Sequence, residues 1–464
     1  MQYSTNIKYV ISHLSFHWES NDEVVSKFRF VQSNSVLPNI EEPVIIFPLC
    51  DEILETPVSI NILEKEIPVL FSDSSKIKSI YSLNKYGQLI FNHDFITSSF
   101  YLLSGVAEQT VKRDQFDRFS YEDSLQYRLD CPDIPLVNYY FEAILQGVEA
   151  YCRFHSLSFK RKRLFERFGF FLSHDVDRVS FYRPKEVLYK IKQLSGMAPR
   201  SFGYGKTIKY LFKGVLKNIF LFSLKDPWWN FDDLIFLEKS LGIKSTWFFL
   251  HRDHKNLDSQ YELTDKKIVN LIKRLTEAGF EAGLHGSYYS ANNRNKIKYQ
   301  FNLFEKIAGR QPVGNRQHFL RVTGIETFRN QESVGLIYDN TLSFAEHEGF
   351  RNGYCYPFKL YDLENDRELD LWEIPLTMME VSPLNYRKVG LDGLYHSAFK
   401  LIEEIERFGG VFSLLWHNCR LMDDEYPGVS EFYPKLLKDI MSKSPQSVTG
   451  EQIIDIIQAS NVIR

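Results

Sequence analysis

The chain has 464 residues, 44% hydrophobic and 25% charged, which exceeds one ordinary domain, supplies a large core and excludes wholesale disorder. A formal net charge of -3 provides no concentrated positive field for nucleic-acid phosphates, so no nucleic-acid partner is expected. The five cysteines, Cys50, Cys131, Cys152, Cys355 and Cys419, lack paired spacing, which excludes a cysteine-rich zinc module and fits a reducing compartment.

The opening stretch, MQYSTNIKYVISHLSFHW, has no basic start followed by an apolar secretory run, and no later run reaches a membrane span. A cytoplasmic location is therefore expected. PVIIFPL, IPVLFS and GQLIFNHDF, bounded by Pro, Gly, Asp or Asn, predict short strands. ITSSFYLLSGVAEQ and VNYYFEAILQGVEAYCR repeat apolar residues every three or four positions, the helical period. Residues 1–155 thus read as a small mixed α/β domain. SFKRKRLFERFG, from Ser158 to Gly169, reads as a helix or linker with a solvated charged face, leading into a second domain over residues 165–464.

After Gly169 strand-like and helix-like segments alternate: GFFLSHD, FDDLIFLEKSLG, IKSTWFFLHRD, DKKIVNLIKRLTEAG, FEAGLHGS, RNKIKYQFNLFEKIAG and PVGNRQHF. ELDLWEIPL, the helix YHSAFKLIEEIERFG and the strand GVFSLLWHN follow. Glycines at helix ends and this rhythm predict a parallel sheet with helical crossovers, closed as a barrel or open. Residues 184–227 interrupt the first crossover as a helical insertion with a bend near SGMAPRSFGYG.

The strand candidates end in polar groups: Asp175 and Asp177, His285, Arg316 and His318, Glu373, and His417. In a barrel the carboxyl ends share one rim, so these groups converge. Within FFLSHDVDRV the two-residue period points Asp175 and Asp177 one way and His174 the other. Two carboxylates so close are costly without a cation or a shared proton. The plainer reading is an acidic turn binding backbone amides, with each histidine in a hydrogen-bonded structural role.

The order SHDVD, HGSYYS, RQHFLR, LLWHN resembles the NodB-type polysaccharide deacetylases of the carbohydrate esterase type, from about residue 165 onward. The resemblance implies an α/β fold: a deacetylase-like distorted (β/α) barrel preceded by the smaller mixed domain. It implies Asp175 as catalytic base, Asp177 and His285 as metal ligands, Arg316 orienting the base, and His417 as the acid. The family's second motif has another His four residues after the first, where this chain has Tyr289. His318, two residues beyond Arg316 on the same strand face, is the substitute third ligand, with His251 in reserve. STWFFL resembles the family's second strand, and WEIP a late strand whose Glu373 supports the site. HDFITSSFYLLSGVAEQTVKRDQFDRF resembles a region found ahead of such domains in some bacterial proteins of poorly known role.

The implied activity is a metal-dependent hydrolase, holding a divalent ion such as Zn2+ and removing an acetyl or related acyl group from a saccharide or saccharide precursor. The same residues leave open a non-catalytic carbohydrate-binding or scaffolding protein, or an amide hydrolase acting on a non-sugar substrate. The loop HEGFRNGYCYPF offers Arg351, Tyr354 and Tyr356 as saccharide contacts.

Overall fold

The structure, a computed structural model, describes residues 4–32, 42–72, 78–109, 111–198, 203–219 and 225–461. A smaller mixed α/β domain comes first. Its strands are β1 (Phe28–Gln32), β2 (Ile45–Leu49), β3 (Val58–Ile62), β4 (Lys65–Val69), β5 (Tyr81–Leu83) and β6 (Leu89–Phe91). They form one sheet in the order β1-β2-β6-β5 and a separate β3-β4 hairpin. Helix Leu136–Phe154 presents an apolar stripe to this core, as its period predicts. Helix Thr5–Leu14, which the sequence reading did not identify, buries Ile7, Val10 and Leu14 at helical spacing. The helix expected over ITSSFYLLSGVAEQ stops at Leu103, and Gly105 then takes a left-handed conformation (φ 67°).

The second part is built on β7 (Gly169–Val176), β8 (Ser245–Leu250), β9 (Glu281–Gly286), β10 (Gly314–Gln317), β11 (Tyr338–Asp339), β12 (Phe358–Asp362), β13 (Arg367–Glu373), β14 (Met378–Met379), β15 (Val411–Leu415) and β16 (Gln446–Ser447). Their order is β12-β13-β11-β10-β9-β8-β7-β15-β14, with β16 beside the start of β7. Only β12 and β13 pair antiparallel. The sheet curls into a distorted, partly open barrel. The stretch after β13 crosses the gap: Ile374 N–H donates to Asp339 O at 2.9 Å, and Thr377 N–H to Ser413 O at 3.2 Å. β7, β8 and β15 are buried at every position, which explains why they read as unbroken apolar runs rather than alternating ones.

SFKRKRLFERFG is an extended connection rather than a helix, and Lys160, Arg161 and Arg167 pair with Glu19, Glu142 and Glu406. The insertion is helical, over Pro184–Leu194 and Tyr204–Ile219, while residues 199–202 of the expected bend lie outside the described residues. One buried apolar cluster runs from Ile7 to Ile457, so the first domain packs directly on the barrel. Among the described residues no helix is long and apolar enough to cross a membrane.

His174 points away from the acids, as the strand period requires. Its Nδ1–H donates to Trp416 O at 2.7 Å and its Nε2 lies 2.8 Å from Glu238 Oε1, with both side chains fully buried. Replacing Glu238 by Ala strands this imidazole and Ser245 Oγ, which also contacts Glu238. We expect a loss of about 3 to 5 kcal/mol, read as a lower denaturation midpoint; an unchanged midpoint would show that the pair does not hold the wall.

Candidate metal centre

All the strand-end groups gather at the carboxyl end of the barrel. Parallel register sets them side by side: Arg316 pairs with His285 across β10 and β9, and His285 with Leu250 across β9 and β8. Asp175 lies near the end of β7, Asp177 just past it, His318 just past β10, and His417 two residues past β15.

Arg316 is fully buried and each of its three guanidinium nitrogens donates a hydrogen bond. Nη1 donates to Asp175 Oδ1 at 2.6 Å, Nη2 to Ser173 Oγ at 2.8 Å and to Asn340 Oδ1, and Nε to Asn340 O at 3.0 Å. The guanidinium stacks over Phe248, 4.6 Å from the ring centroid. Burial pulls the Asp175 carboxyl upward, but Arg316, then His285 and His417, hold it below the usual carboxylate range. Its second oxygen remains turned toward the cluster, 3.4 Å from His285 Nε2 and 4.0 Å from His417 Nε2.

Asp177, His285 and His318 each bring one ligand atom within 4.8 Å of the other two. His285 Nε2 lies 3.5 Å from Asp177 Oδ1, and His318 Nε2 lies 3.6 Å from Asp177 Oδ2. Asp177 Oδ1 and His285 Nε2 are buried without a hydrogen-bond partner, a costly state that a cation between them relieves. His285 Nδ1–H donates to Arg316 O at 2.6 Å, which fixes the tautomer and leaves the Nε2 lone pair facing the cluster. Burial lowers the His285 pKa, outweighing Asp175 and Asp177, and so favours the neutral form that a ligand requires. Burial also opposes protonation of His318, but Asp177 and Asp258 win and raise it to about 9; as a ligand His318 gives up that proton. The buried Asp/His/His set can hold a divalent metal ion.

His417 stands across from this set, with Nε2 3.7 Å from Asp177 Oδ2. Its Nδ1–H donates to Glu380 Oε1 at 2.7 Å. Burial again opposes the charge, yet Glu380, then Asp177 and Asp175, raise His417 to about 9. The groups open into a cavity of about 890 Å³ whose walls include Phe181, Trp228, Tyr386, Arg178 and Lys190.

The first domain reaches this rim. Phe319 and Leu320, directly after His318, have left-handed backbone (φ 63° and 53°), unusual for side chains of this size. Phe116 stacks on Phe319 at 5.0 Å, Arg118 Nη1 donates to Phe319 O at 3.4 Å, and Asp117 pairs with Arg321 at 3.1 Å.

Several expectations change. Tyr289 is 40% exposed, its ring 5.7 Å from that of His254 and 5.1 Å from that of Tyr288. His251 is outside the cluster, 3.9 Å from Glu262. Glu373 does not support the site: it is buried, accepts from Leu342 N–H at 2.9 Å, and lies against Asp339. Glu380 is the carboxylate that contacts a site histidine instead. Tyr354 and Tyr356 are buried in the seam with the first domain, bonded to His17 and Phe408 O, and Arg351 pairs with Glu108. They are not a saccharide rim. Glu380, Asp258 and Asn340 were missed because each follows an apolar run or sits in a loop, where no period marks it.

A family profile described as a family of unknown function (DUF7033) matches residues 2–152. No curated protein matches. Among solved structures, the chain is similar to a protein from Mycobacterium smegmatis described as a polysaccharide deacetylase, at 13% identity and TM-score 0.41, covering 63% of this chain and 91% of that one. It is similar to Puue allantoinase at 14% identity and TM-score 0.41, covering 62% and 90%. It is also similar to BA3943, a CE4 family pseudoenzyme from Bacillus anthracis, at 11% identity and TM-score 0.31, covering 50% and 63%. These likenesses assign no role to any residue here.

The donor geometry yields a direct expectation for metal uptake. His285→Ala and His318→Ala each lower zinc affinity by about 100-fold or more, while His251→Ala leaves it unchanged, as measured by titration calorimetry. Unchanged affinity in both His285→Ala and His318→Ala would place the ion elsewhere.

Proposed function

We propose that the protein is a metal-dependent hydrolase of the NodB polysaccharide deacetylase type, removing an acetyl or related acyl group from a saccharide or saccharide precursor. In this reading residues 1–155 form the accessory domain and 165–464 the deacetylase-like barrel. The observation that carries it is the pairing of an Asp/His/His donor set, two of whose atoms are buried without a partner, with an Arg-clamped carboxylate lining one cavity.

Asp177, His285 and His318 hold the ion, and one carboxylate with two imidazoles is a donor set that suits catalytic Zn2+. Such an ion, when bound, polarises an acyl carbonyl and acidifies a water molecule. Asp175 acts as the base: Oδ1 stays tied to Arg316 while Oδ2, facing the cluster, takes the proton of the attacking water. Arg316 is a positioning residue that keeps Asp175 ionised and aligned. His417 carries the proton for the departing sugar nitrogen or oxygen on Nε2, because Glu380 holds Nδ1–H and favours the imidazolium. The cavity volume suits a small saccharide, and Phe181, Trp228 and Tyr386 provide flat rings for its apolar faces. The five free, buried cysteines suit a reducing interior, and we assign the cytoplasm.

Asp175→Asn is expected to lower acyl release from acetylated sugars by about 100- to 10,000-fold with zinc content unchanged; retained turnover would remove Asp175 as the base. The acid form of His417 is present below a pKa of about 9 and is lost above it, so the rate declines on that alkaline side. Glu380→Gln removes the largest contribution raising that pKa, and the alkaline limb moves to lower pH. A limb that stays in place would assign the acid to another group.

A further inference from the structure

The helices Pro184–Leu194 and Tyr204–Ile219 carry a surface unlike the rest of the molecule. They pack closely against each other: a Cβ on Gly214 would lie 2.5 Å from Val187 Cγ2. Yet their apolar residues largely face outward. Leu188, Ile191, Ile208, Phe212 and Ile219 are between 45% and 66% exposed. Ile208, Phe212 and Ile219 recur at helical spacing and form one stripe turned to solvent. Helix Lys266–Glu277 shows the ordinary arrangement, with Ile268, Leu271, Ile272 and Leu275 all buried. A contiguous exposed apolar patch on a folded chain marks an interaction surface.

Charge identifies what covers it. Between Glu186 and Asp226 the sequence contains no Asp or Glu and eight Lys and Arg residues, in a chain whose net charge is -3. Lys206, Lys217 and Lys225 pair with Asp424, Asp226 and Asp233, and Lys190 is buried in the cavity wall, so Lys192, Lys209 and Lys213 are the ones that matter at this surface. Among the described residues no carboxylate lies within ion-pair distance of Lys192, Lys209 or Lys213, and Lys192 and Lys209 are exposed. Apolar side chains rimmed by lysines on amphipathic helices match a headgroup layer, with the rings and aliphatic chains entering the acyl boundary while the ammonium groups reach lipid phosphates. A second copy of the chain would set this cationic face against itself, which like-charge repulsion opposes.

We propose that the helices Pro184–Leu194 and Tyr204–Ile219 dock the protein on the surface of a bilayer rich in anionic phospholipid, lying in the interface without crossing it. The first helix also lines the metal-centre cavity through Lys185, Tyr189 and Gln193, so docking brings that cavity beside the headgroups. The docking is independent of what the protein hydrolyses, and its test requires no activity.

The test is co-sedimentation of the full chain with phosphatidylcholine vesicles, with and without an equal share of phosphatidylglycerol. Binding is expected to be about ten-fold or more tighter with phosphatidylglycerol and to weaken as salt rises. Phe212→Glu, and Lys209→Glu combined with Lys213→Glu, abolish it, while Phe212→Leu retains it; these positions are solvent-facing or half-buried, and circular dichroism verifies the fold. Equal binding to both vesicles, no binding to either, or variants that bind like the parent would overturn the proposal. So would a dimer in sedimentation velocity that Phe212→Glu dissociates, because a second copy would then own the surface.

Discussion

The buried ion pair between Arg316 and Asp175 is the constraint on which the candidate site depends. A carboxylate or a guanidinium this deep is costly unless paired, so each justifies the other only while the geometry holds. The geometry holds because every arm of Arg316 is occupied: Asp175 and Ser173 on β7, and both the carbonyl and side-chain oxygens of Asn340 past β11. Asn340 in turn donates to Ile374 O and to Ser413 Oγ on β15. One side chain from β10 thereby ties together the strands that surround it. With one Asp175 oxygen fixed by that network, the other is left facing the histidines. The same residue supplies the carbonyl that orients His285, so Asp175 and His285 are aligned by adjacent parts of Arg316.

The first domain takes part in this arrangement. His318 stands at the start of a turn whose next two residues have left-handed backbone, a conformation that isolated side chains of their size disfavour by about 1 to 3 kcal/mol each. Contacts from Phe116, Asp117 and Arg118 hold that turn. His318 thus stands at a turn that the first domain braces. That connects the first domain to His318 and so to the candidate metal cluster.

The parts of this structure legible in the sequence are those that obey a simple period. Parallel strands buried on both faces appear as apolar runs, and their carboxyl ends share one rim, so Asp175, Asp177, His285, Arg316 and His417 could be gathered from widely separated positions before any coordinates. His174 could be sent to the opposite face on the same argument, and it packs there against Glu238. Residues whose role comes from tertiary contact carried no such mark. Glu380 lies beyond a two-residue strand, Asp258 in a loop, and Asn340 just past another two-residue strand. Tyr354 and Tyr356 have the composition of a sugar platform, but the docking of the first domain buries them, and only the packing of distant segments reveals that. The exposed stripe on Tyr204–Ile219 was equally hidden, because an apolar helix face looks the same in sequence whether it turns inward or outward.

The measurement that bears most directly on the account is anomalous X-ray scattering at the zinc edge from crystals of the full chain grown with zinc. The account predicts one strong peak bonded to Asp177, His285 and His318, with Asp175 beside it and still held by Arg316. A zinc peak on other side chains, with these three left unligated in the same crystal, would contradict it.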